Sequence, residues 1–296
     1  MKGKDMTSKH LITGASGQLG ALVLDALDSK LAKADTAVLV RKDADRERFA
    51  AAGYDVRVAD YTDAEALKAA FTGIERLLLI SSSEVGQRAV QHGNVIDAAK
   101  AAGVGFIAYT SILAADRSPL ALAEEHRATE ALLAGSGISH TLLRNGWYSE
   151  NIAMSAEQDL ALGQHFGAAG DGKFATAPRA DFAAAAATVL TGPEHDGKTY
   201  ELGGDSAYTL TDYAVTLSEI AGKDVAYVDM PQEAFTQALV GAGLPEGFAG
   251  ILADSDHNAR DGWLDTSSND LSKLIGRPTA PIADTIRATL KATEAA

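Results

Sequence analysis

Gly14, Ala15, Ser16, Gly17, Gln18, Leu19 and Gly20 join a short apolar stretch, HLITG (10–14), to a helical pattern, QLGALVLDALDSKL (18–31). The three glycines have separate uses in such a turn. Gly14 permits the tight bend, Gly17 lets backbone approach a pyrophosphate, and Gly20 lets the helix pack close to the sheet. The helix start then offers free N–H groups and partial positive charge to phosphate oxygens. The spacing is G-x-x-G-x-x-G, and its strand–turn–helix setting makes it a candidate dinucleotide site. An NAD site would carry an acid at the end of the second strand, about 20 residues on, for the ribose 2′-hydroxyl. Here that strand ends in Val40-Arg41-Lys42. An acid would repel a 2′-phosphate, whereas Arg pairs with one bidentately, so the residues favour NADP. Asp60 ends the third strand, where it would meet the adenine edge or act as a turn residue capping a helix. Ser81-Ser82-Ser83-Glu84 ends the fourth, and small hydroxyl residues there suit close passage of a ribose.

Other chemistry is scarce. Short-chain dehydrogenases pair a Tyr with a Lys four residues on, which lowers the Tyr pKa so that it can shuttle a proton. None of the eight Tyr residues has Lys at that spacing. The helix after the fifth strand instead carries His126 and Glu130, one turn apart. They read as an acid working near neutral pH or, more plainly, as a surface ion pair. Ser111 keeps the Ser position at the end of the fifth strand, but its usual role lapses without the Tyr. There is no G-x-S-x-G elbow and no P-loop Lys. The seven His residues show no metal-ligand spacing, and with 0 Cys there is no thiolate site or disulfide.

The elements that must carry these residues alternate. TAVLVR (36–41), DVRVADY (55–61), RLLLISS (76–82), GFIAYTS (105–111) and SHTLLRN (139–145) read as strands. Helices are expected over 43–53, 63–71, 86–102 and 121–134. Strands that are apolar throughout, alternating with helices, imply a parallel sheet covered on both faces, the doubly wound Rossmann pattern. Beyond residue 150 the pattern loosens. Residues 163–178 read as loop or short hairpin, Asp181 as the N-cap of a helix over 182–190, 197–204 and 225–230 as strands, and 210–221 as a helix. The remainder is mostly helical, broken at Pro245 and Pro278. The expected division is an N-terminal extension (1–9), an NADP-binding domain (10–150) and a smaller α+β, substrate-covering part (151–296), some of whose segments return to the sheet.

The chain has 296 residues, long enough to bury a core without staples. Its formal net charge is −14, which repels phosphate backbones and argues against nucleic acid as a partner. No apolar run reaches the length of a membrane span and the first residues do not resemble a signal peptide, so cytoplasm is the default expectation. A homodimer is compatible with the sequence.

TGASGQLG (13–20), LLLISSSEVGQR (77–88), FIAYTS (106–111), EEHRATE (124–130), LLRNGWYSEN (142–151) and GAAGDGK (167–173) together resemble the NmrA-like group of atypical short-chain dehydrogenases. Within it the chain is most similar to bacterial NADPH-dependent quinone reductases, from about residue 10 to DLSKLIGRPT (270–279). SSSEVGQR (81–88) and RNGWYSEN (144–151) are the specific segments. That group lacks the Tyr/Lys pair, as this chain does. The residues before about position 10 are extra to the pattern, expected to be disordered or cloning-derived. The resemblance implies that Gly14 to Leu19, Arg41, Ser83, Glu84, Val85, Asn145, Gly146, Trp147 and Tyr148 line NADPH. It further implies hydride transfer to a small-molecule quinone. A quinone suits a site without an acid, because the anion formed is spread over an aromatic ring. Asn145 and Tyr148 are the substrate-site candidates, Asn145 through its amide and Trp147 and Tyr148 through flat apolar faces, while Gly146 would let backbone pass the nicotinamide. The Gly-rich stretch 167–172 is expected to be a mobile loop that closes over this pocket. Two alternatives stay open: an NADP-sensing regulator without turnover, and a reductase of another delocalised acceptor such as a triphenylmethane dye.

Overall fold

All residues of TAVLV (36–40) and of FIAYTSI (106–112) are buried, so these strands need cover on both faces. A computed structural model describes residues 9–294 and shows how they obtain it; nearly all of the expected N-terminal extension lies outside the described residues. In chain order the elements are β1 (His10–Ile12), α1 (Gln18–Asp28), β2 (Thr36–Val40), α2 (Asp43–Ala51), β3 (Asp55–Val58), α3 (Ala64–Ala70), β4 (Arg76–Leu79), α4 (Arg88–Ala102), β5 (Phe106–Ile112), α5 (Ala121–Ser136) and β6 (Ser139–Asn145). There follow α6 (Ser149–Ala153), α7 (Ala156–Leu162), β7 (Gln164–Gly167), β8 (Lys173–Phe174), α8 (Arg179–Thr191), β9 (Thr199–Leu202), β10 (Tyr208–Thr209), α9 (Leu210–Ala221), β11 (Ala226–Asp229), α10 (Gln232–Gly241), α11 (Glu246–Ala259), α12 (Asp270–Ile275) and α13 (Ile282–Glu294).

Seven strands form one sheet in the order β3-β2-β1-β4-β5-β6-β9. β1 pairs in parallel with β2 on one side (Leu11 opposite Ala37) and with β4 on the other (Leu11 opposite Leu77). The order in which strands are added therefore reverses between β1 and β4, and a ligand crevice belongs outside the carboxyl ends of those two strands. The loops that follow them are the Gly14–Gly20 turn and Ser81–Val85. The doubly wound sheet expected from the sequence is present. Leu11, Leu39, Leu77, Ile107 and Tyr109 pack with Phe71, Val95, Ile96 and Leu133 in one core. Helix ends follow local chemistry. Asp63 caps α3 by accepting from the Ala66 N–H, and Gly103, at φ +80°, ends α4 in the left-handed conformation.

The chain divides into two compact units. One holds the residues up to Ile112 with Glu124–Arg144 and Phe182–Tyr200; the other holds Leu113–Ala123, Asn145–Asp181 and the chain from Glu201 on. The second unit has two small sheets, β8 with β10 (antiparallel) and β7 with β11 (parallel). Thus 163–178 is not a hairpin, because β7 and β8 take different partners. Ala168, Phe235 and Ala253 form a small core there with Phe166, Met230 and Leu239. A capping box of Thr209 and Asp212 starts α9. The expected N-cap role of Asp181 is also corrected. α8 begins at Arg179, so Asp181 lies in its first turn, where its buried carboxylate accepts from Arg277 Nη2 (2.5 Å) and the Ala280 N–H (2.9 Å). Among the described residues no helix is long and apolar enough to cross a membrane.

Candidate functional site

The glycine turn is built for close approach. Gly14 sits at φ +60°, and the Gly17 N–H donates to its carbonyl at 3.0 Å. A Cβ on Gly20 would lie 2.2 Å from the Gly14 oxygen and 2.8 Å from Ala15 Cα, so no other residue fits there. Gly17 caps α1 without a side-chain bond, and the first turn carries no acid. The first intrahelical donor is Ala21, to the Gly17 carbonyl, so the N–H groups of Gln18, Leu19 and Gly20 have no acceptor among the described residues. Ser16 and Gln18 are exposed while Ala15 and Leu19 are buried. A helix start with open donors and no competing carboxylate fits a pyrophosphate.

Around the same crevice, Arg41 Nη1 donates to Glu84 Oε1 at 2.8 Å and lies 4.0 Å from Asp60 Oδ2. Asp60 accepts from the Thr62 N–H and hydroxyl, which makes it a turn residue and holds its carboxyl below the usual range. Lys42 caps α2 through its backbone. The loop after β4 is stapled from beneath. The Ser81 N–H donates to Thr110 Oγ1, the Ser82 N–H to His92 Nε2, and Arg88 Nε to the Ser82 carbonyl. Glu125 Oε1 accepts from the N–H groups of Gly86 and Arg88 at the start of α4. Glu84 Oε2 accepts from Gln91 Nε2 at 2.6 Å, while Val85 is 49% exposed. Arg41, Asp60, Ser83, Glu84 and Val85 thus lie on one set of loops. Arg88, Gln91, His92 and Glu125, which hold that loop, were not singled out from sequence, although Arg88 and Glu125 fall within the segments SSSEVGQR and EEHRATE.

His126 and Glu130 are not an ion pair. His126 is buried, with Nδ1 2.8 Å from the Tyr109 hydroxyl and Nε2 3.5 Å from Arg88 Nη1. Arg has only donors, so Nε2 accepts and Nδ1–H donates to Tyr109. Burial, then the charge of Arg88, push the His126 pKa down to about 3. It is a neutral structural imidazole. His92 is held at about 4 by the same two causes, and its Nδ1 lies 2.9 Å from Thr129 Oγ1. Glu130 faces elsewhere. It accepts from Ser111 Oγ (2.5 Å), Arg144 Nε (3.0 Å) and Arg144 Nη2 (2.7 Å).

In the second unit, Asn145 is buried and its Oδ1 has no hydrogen-bond partner among the described residues, while its Nδ2 donates weakly to the Tyr148 hydroxyl at 3.4 Å. A buried amide oxygen left open suits an N–H donor such as a carboxamide. The Gly146 N–H donates to the Leu202 carbonyl at 2.7 Å, and a Cβ there would lie 2.9 Å from that oxygen, so this glycine answers a packing need of the protein itself. Trp147 and Tyr148 are half-buried, and the Arg179 guanidinium lies 4.6 Å from the Tyr148 ring centre. The stretch 167–172, expected to be a mobile loop, is hydrogen-bonded along its backbone. Ala168 N–H donates to Asp256, Ala169 N–H to the Tyr227 hydroxyl and Gly170 N–H to Asp229. Arg260 ties the Ala168 carbonyl to the Asp229 carboxylate. A Cβ on Gly172 would lie 2.5 Å from Ala259 backbone, so its glycine serves contact rather than freedom.

A switch point with an open helix start defines a dinucleotide-binding class, and residues 14–193 match the family described as NAD(P)H-binding, to which the chain belongs. Its relatives are more particular. The chain is 56% identical over 275 residues to quinone oxidoreductase 2 of Escherichia coli, covering 93% of this chain and 96% of that protein. The crystal structure of an Escherichia coli NADPH-dependent quinone oxidoreductase complexed with NADPH superposes with a TM-score of 0.93 at 54% identity, covering 95% of this chain and 99% of that one. The triphenylmethane reductase of Citrobacter gives 0.91 at 36% identity over 96% and 99%.

Proposed function

We propose that the chain is an NADPH-dependent quinone oxidoreductase that reduces a small-molecule quinone to the hydroquinone. The observation that carries this is the near full-length likeness to an enzyme of that activity, 56% identical over 93% of the chain. When bound, the cofactor supplies a hydride, which balances as NADPH + H⁺ + quinone → NADP⁺ + hydroquinone. The chain's residues bind and orient. The open N–H groups of α1 take the pyrophosphate, and Arg41 takes the 2′-phosphate, which selects NADPH over NADH. Ser83, Glu84 and Val85 border the ribose. Asn145 offers its open amide oxygen to the nicotinamide carboxamide, and Tyr148 offers its ring to the quinone. No proton donor is required of His126, whose neutral ring is committed to Tyr109. An anion delocalised over an aromatic ring can wait for water. Such an enzyme works in the cytoplasm, where NADPH is supplied.

A second reading, reduction of a delocalised dye cation, is favoured by the likeness to the triphenylmethane reductase. A third, an NADP sensor, predicts binding without turnover. All three separate in one steady-state experiment. NADPH is mixed with the protein, and loss of reduced-nicotinamide absorbance is followed with benzoquinone, with a triphenylmethane dye, or with neither. Enzyme-dependent loss with benzoquinone supports the proposal. Loss with the dye alone replaces it with the second reading, and no loss with either leaves the sensor.

A further inference from the structure

We propose that Glu84 is a built-in counter-anion for Arg41 that sets how strongly the chain prefers a cofactor with a 2′-phosphate. The inference rests on the reading of Arg41 as the partner of that phosphate. Glu84 Oε1 lies 2.8 Å from Arg41 Nη1, and Asp60 Oδ2 lies 4.0 Å from the same nitrogen. One guanidinium between two carboxylates leaves the trio with a net charge of −1. The Glu84 carboxylate does not depend on Arg41 for its place. Gln91 Nε2 donates to its other oxygen at 2.6 Å, and the Glu84 N–H donates to Ser82 Oγ at 3.1 Å. Ser82 is itself fixed by His92 and Arg88. The Glu84 carboxylate thus keeps a bond that does not involve Arg41, and Arg41, 58% exposed at its side chain against 44% for Glu84, is the member better placed to turn toward an arriving anion.

A phosphate monoester carries roughly −1.5 to −2 charge near neutrality, so at Arg41 it must displace the carboxylate or sit beside it. Either way Glu84 opposes it. A cofactor with a plain 2′-hydroxyl meets no such opposition. Exposed ion pairs are weak, so the exchange is cheap and the effect is a tuning of selectivity rather than a block. Because NADPH and NADP⁺ share the 2′-phosphate, Glu84 weakens the hold on substrate cofactor and product cofactor alike.

The test compares wild type, Glu84→Gln, Arg41→Ala and the double variant by titration calorimetry. The probes are adenosine 2′,5′-bisphosphate, adenosine 5′-monophosphate, NADPH and NADH. Gln keeps an acceptor for Arg41, and Gln91, whose Oε1 has no partner among the described residues, can turn to meet the new amide. Glu84→Gln should raise the ratio of bisphosphate to monophosphate affinity, and of NADPH to NADH affinity, by about two- to five-fold. In the Arg41→Ala background that gain should vanish. A lowered or unchanged ratio in Glu84→Gln, equal tightening of NADH included, would overturn the proposal. The underlying reading fails separately: if Arg41→Ala weakens NADH as much as NADPH, Arg41 does not read the phosphate and both ideas fall.

Discussion

Replacing His126 by Asn should flatten the loss of stability in mild acid while leaving catalysis in place. In the folded chain the imidazole has a pKa of about 3, because it is buried and then because Arg88 and His92 stand nearby. In the unfolded chain it returns to roughly 6.5. A depressed folded pKa means that the unfolded state binds more protons below pH 6.5, so the contribution to stability is full above that value and shrinks as pH falls toward 3. At pH 5 the deficit spans about 1.5 pH units, and at about 1.36 kcal/mol per unit it amounts to roughly 2 kcal/mol. At pH 7 the substitution itself costs about 1–3 kcal/mol, from the lost bond to Tyr109 and the smaller side chain. The assay is urea unfolding of both proteins at pH 7 and pH 5. Asp256 and His92 titrate in the same range but are common to both, so the difference between the proteins isolates His126. The stability gap should narrow by about 2 kcal/mol on going to pH 5. A gap independent of pH would show that the imidazole is not held neutral. Turnover at pH 7 should stay within a few-fold; a fall of about 10²–10⁴ would make it a general acid after all.

Gly20→Ala places a Cβ 2.2 Å from the Gly14 oxygen, so the turn must open. A large loss of NADPH affinity by calorimetry is expected, with a stability cost of about 3 kcal/mol or more, and an unaltered affinity would deny the turn its role. The half-buried Asp256 has its carboxyl pushed up to about 6 by burial, with His165, Asp229 and Arg260 around it. A raised carboxyl pKa means the folded state holds the extra proton, so this contribution is lost as pH rises from about 4 to 6. Asp256→Asn should therefore gain about 1–2 kcal/mol in urea unfolding at pH 7 relative to pH 4, discounted for residual exposure, and no gain would contradict the shift. Tyr148→Ala should raise the quinone KM or lower kcat while the NADPH Kd moves much less; a change confined to NADPH would move Tyr148 to the cofactor.

The parts legible in the sequence are those governed by local periodicity. β6 (Ser139–Asn145) and α9 (Leu210–Ala221) have the bounds read from apolar spacing and caps. The glycine turn was readable because strand, turn and helix stand next to one another in the chain. Contacts between distant residues were not. Spacing put His126 and Glu130 on neighbouring turns of α5 but could not say that one meets Tyr109 and Arg88 and the other Arg144. Sequence offered Arg41 to a 2′-phosphate and said nothing of Glu84, 43 residues away in the chain. The glycines of 167–172 read as freedom, whereas Gly172 and Gly167 are small because Ala259 backbone, Asp256 and Leu210 press against them. Glycine has two uses, and only packing tells them apart.

The central claim is two-electron reduction of a quinone by NADPH on this chain. Its most direct test is a single-turnover mix of enzyme, NADPH and benzoquinone, with hydroquinone and NADP⁺ quantified by chromatography and the mixture frozen for electron paramagnetic resonance. The account predicts one hydroquinone per NADPH consumed, in an amount proportional to enzyme and without a semiquinone signal. Enzyme-bound NADPH that stays unoxidised, or a semiquinone signal that accumulates with turnover, would contradict it.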